Sequence, residues 1–320
     1  MKKIIGILII LLVVYACNKE QQKTQITAIR SKNALVPEKL IVMDNVLLTD
    51  SLSRGWVKGF DTKKFISAIY DAAKSGKLNI YCNSTAQEAY KTNDINDIIS
   101  KNYQIQMLAF EEDWFFDAEG FQLYKTVNSY FPVNISEKGD GDNKMKEYRS
   151  CFTIKNDTST KGDMKLLAKN ICYEFSLSKE SPNNVWIENL NTETFVKLLI
   201  DNALSGKVKT YSAINTKTAL SIDELKMALN VEQADTVMIE DISTSELKQS
   251  IITSELDYNK VKSVIFIEDW YYNDKTFSIE KKVKAIAPVS VYDKCDGETT
   301  EEMKEILYVI YTGTDRPVLL

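Results

Sequence analysis

Phe110-Glu-Glu-Asp-Trp-Phe-Phe116 and Phe266-Ile-Glu-Asp-Trp-Tyr-Tyr272 are one stretch written twice. Each sets an acidic residue and Asp-Trp into an aromatic run, and each is followed at the same distance by Pro-Val, at Pro132-Val133 and Pro288-Val289. The offset between these pairs is 156 residues. Toward the N-terminus the likeness continues at an offset of 130: Trp56 to Phe65 lies over Trp186 to Phe195, Ser75-Gly76-Lys77 over Ser205-Gly206-Lys207, and Tyr81 over Tyr211. Nine of the 26 positions from Trp56 to Tyr81 are identical, where unrelated chains of ordinary composition give about two. The chain therefore reads as two tandem copies of one unit, the second with 26 extra residues between Tyr211 and Phe266.

Each copy opens with an apolar run, Leu40 to Leu48 or Ile171 to Leu177. A helix over Thr62–Ser75 follows, with Phe65, Ala68, Ile69 and Ala72 on one face and Gly76 as its left-handed stop. Phe195, Leu198, Leu199 and Asn202 before Gly206 repeat it. Short strands are predicted at Leu78–Cys82 and Val208–Ser212, then an antiparallel meander. In the second copy, Phe277, Ile279, Val283 and Ala285 alternate with Ser278, Glu280, Lys282 and Lys284, the pattern of a sheet wet on one face. Asp117 to Gly120 and Asn273 to Lys275 are turn-formers, and Glu147–Ile154 and Glu305–Thr312 read as last strands. In the insertion, Ser221-Ile-Asp-Glu224 and Ser243-Thr-Ser-Glu246 have capping-box spacing, so a helix is expected after each. The fold class expected is α+β: two tandem repeats, each an N-terminal strand and helix followed by an antiparallel β-meander. The first repeat is placed at 39–155, a linker at 156–169, and the second repeat at 170–320 with a helical insertion at about 213–262.

The chain starts with Lys2-Lys3, an apolar run from Ile4 to Ala16, and Val14-Tyr15-Ala16-Cys17 ahead of polar residues. This is the pattern of a lipoprotein signal peptide over 1–17, lipidated at Cys17, with 18–38 a polar tether. The lipid is expected to hold the chain on a membrane. A net charge of −5 with no concentrated basic run speaks against nucleic acid as a partner. Histidine is absent, which removes the usual general base and the usual zinc ligand. Cys82, Cys151, Cys172 and Cys295 permit three disulfide pairings, but three sit in apolar runs where a free thiol packs as a small core residue.

No catalytic constellation, metal site or cofactor motif is predicted. Glu112-Asp113 and Glu268-Asp269 resemble paired catalytic carboxylates, yet neighbours in a strand point to opposite faces and do not converge. Asp140-Gly-Asp142-Asn143 and Asp293 to Gly297 lack the spacing of a calcium loop. The aromatic clusters remain. Trp114, Phe116, Trp270 and Tyr272, with Glu112 and Glu268 beside them, are the candidate interface for a protein partner. A sheet covered on both faces is the alternative reading of the same rings.

Around Phe266 to Asn273, with Ala285-Ile-Ala-Pro288, Ile306-Leu-Tyr-Val-Ile-Tyr311 and Arg316-Pro317 after it, the sequence resembles the GldN/PorN family of the gliding-motility and type IX secretion machinery of the Bacteroidota. Glu112 to Asp117 carries the first of these motifs in the first copy. The resemblance implies an outer-membrane-associated, periplasm-facing, non-enzymatic subunit that assembles with secretion or motility ring components. Family members ordinarily have one copy and no anchor of their own. A lipoprotein that binds a soluble ligand or peptide between its two copies is the second reading.

Overall fold

The computed structural model describes residues 42–47, 60–100, 105–117, 121–138, 145–157, 164–177, 190–231, 234–240, 247–296, 299–313 and 316. In chain order these form β1 (Val42–Leu47), α1 (Thr62–Lys74), α2 (Thr92–Ser100), β2 (Ile105–Asp117), β3 (Gln122–Lys138), β4 (Met145–Ser150), β5 (Ile154–Lys155), β6 (Lys165–Ser176), α3 (Thr192–Leu204), β7 (Thr210–Tyr211), α4 (Ile222–Ala228), β8 (Ala234–Glu240), β9 (Leu247–Thr253), β10 (Val261–Tyr272), β11 (Ile279–Asp296), β12 (Thr299–Ile306) and β13 (Val309–Tyr311). The fold is mixed: four helices among the described residues and one large antiparallel sheet. Its strands run β1-β2-β3-β11-β10-β6. β4 and β5 attach to β3, β12 and β13 to β11, and β7 to β13. The sheet curls until its end strands, β1 and β6, approach one another.

Local sequence explains the helices. The Asp61 carboxylate accepts the Lys64 N–H at the start of α1, and the Asn191 side chain accepts the Thr194 N–H at the start of α3. Gly76 and Gly206 end them at φ +70° and +71°, where a side chain would strain the backbone. At the end of α1, the N–H groups of Gly76 and Lys77 return to the carbonyls of Ala73 and Ala72, closing a Schellman motif. α1 buries Phe65, Ile66, Ile69, Ala72 and Ala73; α3 buries Phe195, Val196, Leu199, Ile200 and Ala203. After Ser221, α4 has both arms of its capping box.

Several expectations need correction. The predicted strand at Leu78–Cys82 is reduced to one bridge, Tyr81 with Thr153. Each last strand is two pieces, β4 with β5 and β12 with β13. The break faces a proline: Cys151 N–H donates to the Pro132 carbonyl and Leu307 N–H to that of Pro288, each 3.0 Å, and proline has no N–H to return. β6 begins at Lys165, inside the stretch read as linker. Only the first capping-box spacing of the insertion leads to a helix. Leu247-Lys-Gln-Ser-Ile-Ile-Thr253 pairs instead with Ala234–Glu240 as a separate hairpin, because a β-branched end and a strand partner outweigh the cap. Helix α2, not anticipated, holds Ile95 and Ile98 in the core.

The alternation read for β11 also fails in part. Lys281 keeps the period and points inward, 4% exposed, but Lys284, read as wet, is buried. The cause is a β-bulge: Ile267 pairs with Ala285 but Glu268 with Val283, so Lys284 is the extra residue. β3 has the same bulge at Asn128, where Glu111 pairs with Ser129 and Glu112 with Val127. The bulge carbonyls are satisfied alike. Asn156 N–H donates to Asn128 O and its Nδ2 to Val127 O; Thr312 N–H donates to Lys284 O and its Oγ1 to Val283 O.

Residues 60–157 and 164–316 share one core. Phe60 packs against Trp270 at 6.0 Å between ring centroids, and Phe195 against Trp114 at 6.2 Å. The Tyr130 hydroxyl donates to Phe277 O at 2.8 Å, and its burial pushes the phenol far above the usual tyrosine range.

Candidate functional site at the junction of the two halves

β3 and β11 meet where Lys125 pairs with Lys281. Both ammonium groups turn into the curled sheet and find carboxylates from the opposite half. Lys281 Nζ lies 2.6 Å from Glu112 Oε1 and Lys125 Nζ 2.8 Å from Glu268 Oε1, with all four side chains 0% exposed. The second oxygen of each carboxylate accepts an indole N–H: Trp114 Nε1 to Glu112 Oε2 at 2.8 Å, Trp270 Nε1 to Glu268 Oε2 at 2.9 Å. Aromatic faces complete each ammonium's surroundings. Lys125 Nζ stands 3.5 Å from the Phe266 ring centroid and 4.4 Å from that of Trp114; Lys281 Nζ stands 3.5 Å from Phe110 and 4.9 Å from Trp270. The arrangement is asymmetric at one point, where Lys125 Nζ also donates to the Tyr173 hydroxyl at 2.7 Å.

The two bulges make this possible. They re-phase β3 and β11, so Lys125 with Leu123 and Val127, like Lys281 with Ile279 and Val283, faces inward on one side of the bulge while Tyr130 and Ile286 face inward on the other. Removing charges from water costs several kcal/mol per ion, and only good geometry with further hydrogen bonds offsets it. Here both are present. A quartet closed to solvent and filled by its own aromatic rings has no room for a reacting molecule. Its chemistry is positional: it holds the two halves of the sheet in one relation.

Of the six residues predicted as a partner surface, Trp114, Phe116, Trp270, Glu112 and Glu268 lie inside the protein, and Tyr272 is half-buried with its ring 6.3 Å from Phe65. The structure brings them together between halves rather than on an outer face. Asp269, beside Glu268, points away and accepts the Asn170 N–H at 2.8 Å. Lys125 and Lys281 were missed by sequence reasoning. A signal existed: at the offset of 156 both copies place lysine between two apolar inward positions, Leu123 and Val127 or Ile279 and Val283. Among the described residues, no group of three Cys, Asp or Glu side chains could hold a metal ion, and no helix is long and apolar enough to cross a membrane. Cys17, the tether and Asp140 to Asn143 lie outside the described residues.

Compared with curated proteins, the chain has no match. Residues 166–319, from β6 past β13, match the family model described as Gliding motility associated protein GldN, so this stretch of the chain is GldN-like.

Proposed function

We propose that this chain is a lipid-anchored, periplasm-facing assembly protein of the gliding-motility and type IX secretion machinery, built from two copies of one GldN-like unit. The observation that carries the reading is the family match over residues 166–319. The first half supports its extension to the whole chain. It repeats the strand order of the second, β1-β2-β3 against β6-β10-β11, and the same bulge and buried Glu–Lys–Trp set recur 156 residues apart. The anchor rests on Cys17 and the apolar run before it. The chain acts by holding other proteins, with no reaction and no cofactor of its own. A ligand bound between the halves is the weaker reading, since the centre of their junction is filled by the quartet and its rings.

Purification from native membranes in mild detergent tests this, with Cys17→Ala alongside. Motility or secretion ring components recovered with the parent and lost from the membrane fraction with Cys17→Ala are the expected result. Recovery of the anchored protein with no partner refutes the assembly role, and unchanged membrane association of Cys17→Ala refutes the anchor.

A further inference from the structure

Glu112 reaches Lys281 and Glu268 reaches Lys125, and each acid and each base has its counterpart 156 residues away. Each half therefore presents one carboxylate, one ammonium, one phenylalanine and one tryptophan to the junction. If a second copy of the second half took the place of the first, every charge would again find its opposite: Glu268 of one chain would meet Lys281 of the other, and the reverse. Tyr173 would stand beside the incoming ammonium as it now stands beside Lys125. A surface complementary to itself under twofold rotation is isologous. The buried charges thus give the second half no means of telling its own first half from another second half.

Resting on the reading of the chain as two GldN-like units, we infer that the first half occupies, on the second, the face by which one such unit docks on another. The partner this face fits is a second copy of the chain's own second half. What keeps the chain paired with itself is the covalent link, since a short tether raises the effective concentration of the attached half to the millimolar range.

The test uses the full chain with a protease site placed within residues 158–163 and cut after folding. The cut protein is unfolded in denaturant, refolded by dilution and weighed by native mass spectrometry. Expected are two native species, first half with second and second with second. Lys281→Met then separates them. It removes one ion pair of two from the mixed species, where Lys125–Glu268 survives, but both from the second–second species. If the mixed species weakens tenfold, the other weakens on the order of a hundredfold. Recovery of mixed pairs alone, or equal weakening of the two, overturns the inference.

An uncut variant lacking residues 158–163 keeps it falsifiable should refolding of the cut protein fail. Asp157 is bonded to Ser278 on one side of the β10–β11 pair, and Lys165 is paired with Tyr272 on the other. Three strand spacings, about 14 Å, separate them, more than the two remaining Cα–Cα steps of about 3.8 Å cover. The junction can then form only between chains, and a folded dimer is expected. A folded monomer, or no folded product, overturns the inference. Failure here leaves the envelope role standing, because that role is judged by what co-purifies with the anchored chain.

Discussion

Lys281→Met should be among the most damaging single substitutions in this protein, and the structure indicates by how much. The methionine fills most of the lysine's volume, so little packing is lost. What remains is the Glu112 carboxylate, wholly buried, its Oε1 deprived of the ammonium 2.6 Å away. Stranding one partner of a buried pair costs about 3–5 kcal/mol. Taking up a proton offers a way out: at pH 7 a carboxyl with an ordinary pKa of about 4.3 does so at a cost of about 3–4 kcal/mol, which caps the penalty near that figure. Urea unfolding followed by tryptophan fluorescence reads the loss, since Trp114 and Trp270 are both buried. Adding Glu112→Gln to Lys281→Met removes the stranded charge and keeps an acceptor for Trp114 Nε1, so the double variant should regain most of the stability. A loss under about 1 kcal/mol for the single variant, or a double variant no more stable than the single, would refute the claim that this pair is desolvated and mutually dependent.

Tyr308 is wholly buried and its hydroxyl has no hydrogen-bond partner among the described residues, while Phe152 stands at the position 156 earlier; Tyr308→Phe should raise stability by up to about 1–2 kcal/mol in thermal melts. Burial pushes the Cys151 thiol up to about 11 and Cys172 up to about 12, whereas Cys82 is exposed; a thiol reagent at pH 8 should modify Cys82 in the native protein and reach the other two only on unfolding. Gly206→Ala meets no atom within 4 Å but must hold φ +71°, so differential scanning should show a loss of about 1 kcal/mol from backbone strain alone. The hydrogen bond to Asp201 raises the Tyr258 phenol to about 12; the folded state then holds its proton where the unfolded state loses it, so stability should fall as pH rises from about 10 to 12, and less steeply in Asp201→Asn.

Much of the fold was legible because its signals are local. Asp61 and Asn191 at the helix starts, Gly76 and Gly206 at their ends, and the side chain of Asn273, which accepts the Lys275 and Thr276 N–H groups, state their structure within a few residues. The tryptophan-centred stretches, alike at one offset, both lie in long antiparallel strands, β2 and β10. What stayed hidden depends on partners far along the chain. Leu247–Thr253 has a helix-start signal before it and becomes a strand only because Ala234–Glu240 pairs with it. The inward place of Lys125 and Lys281 was written in the apolar residues two positions either side, but the glutamate each meets comes from the other half of the chain, and nothing near either lysine foretells that partner. The same long-range pairing is why the aromatic clusters read as a surface for a partner while most of their rings lie between halves.

Buried ion pairs add little net stability over well-packed apolar groups, so the quartet needs another physical reason. The β3–β11 seam supplies one. Its register shows a single pair, Lys125 with Lys281, against twelve between β2 and β3, so backbone hydrogen bonds hold this seam weakly. Apolar rings alone would tolerate a slide. A shift of one residue would send Lys125 to the outer face and leave Glu268 buried without a cation. A slide of two residues keeps the faces but moves the charges by about 7 Å, from 2.8 Å contact to separation. Both errors strand carboxylates in the core at a cost of several kcal/mol each, so the wrong alignments are penalised far more than the right one is rewarded. The charges at the centre of the junction thus act chiefly on specificity: they select one register where the sheet's own hydrogen bonding is thinnest.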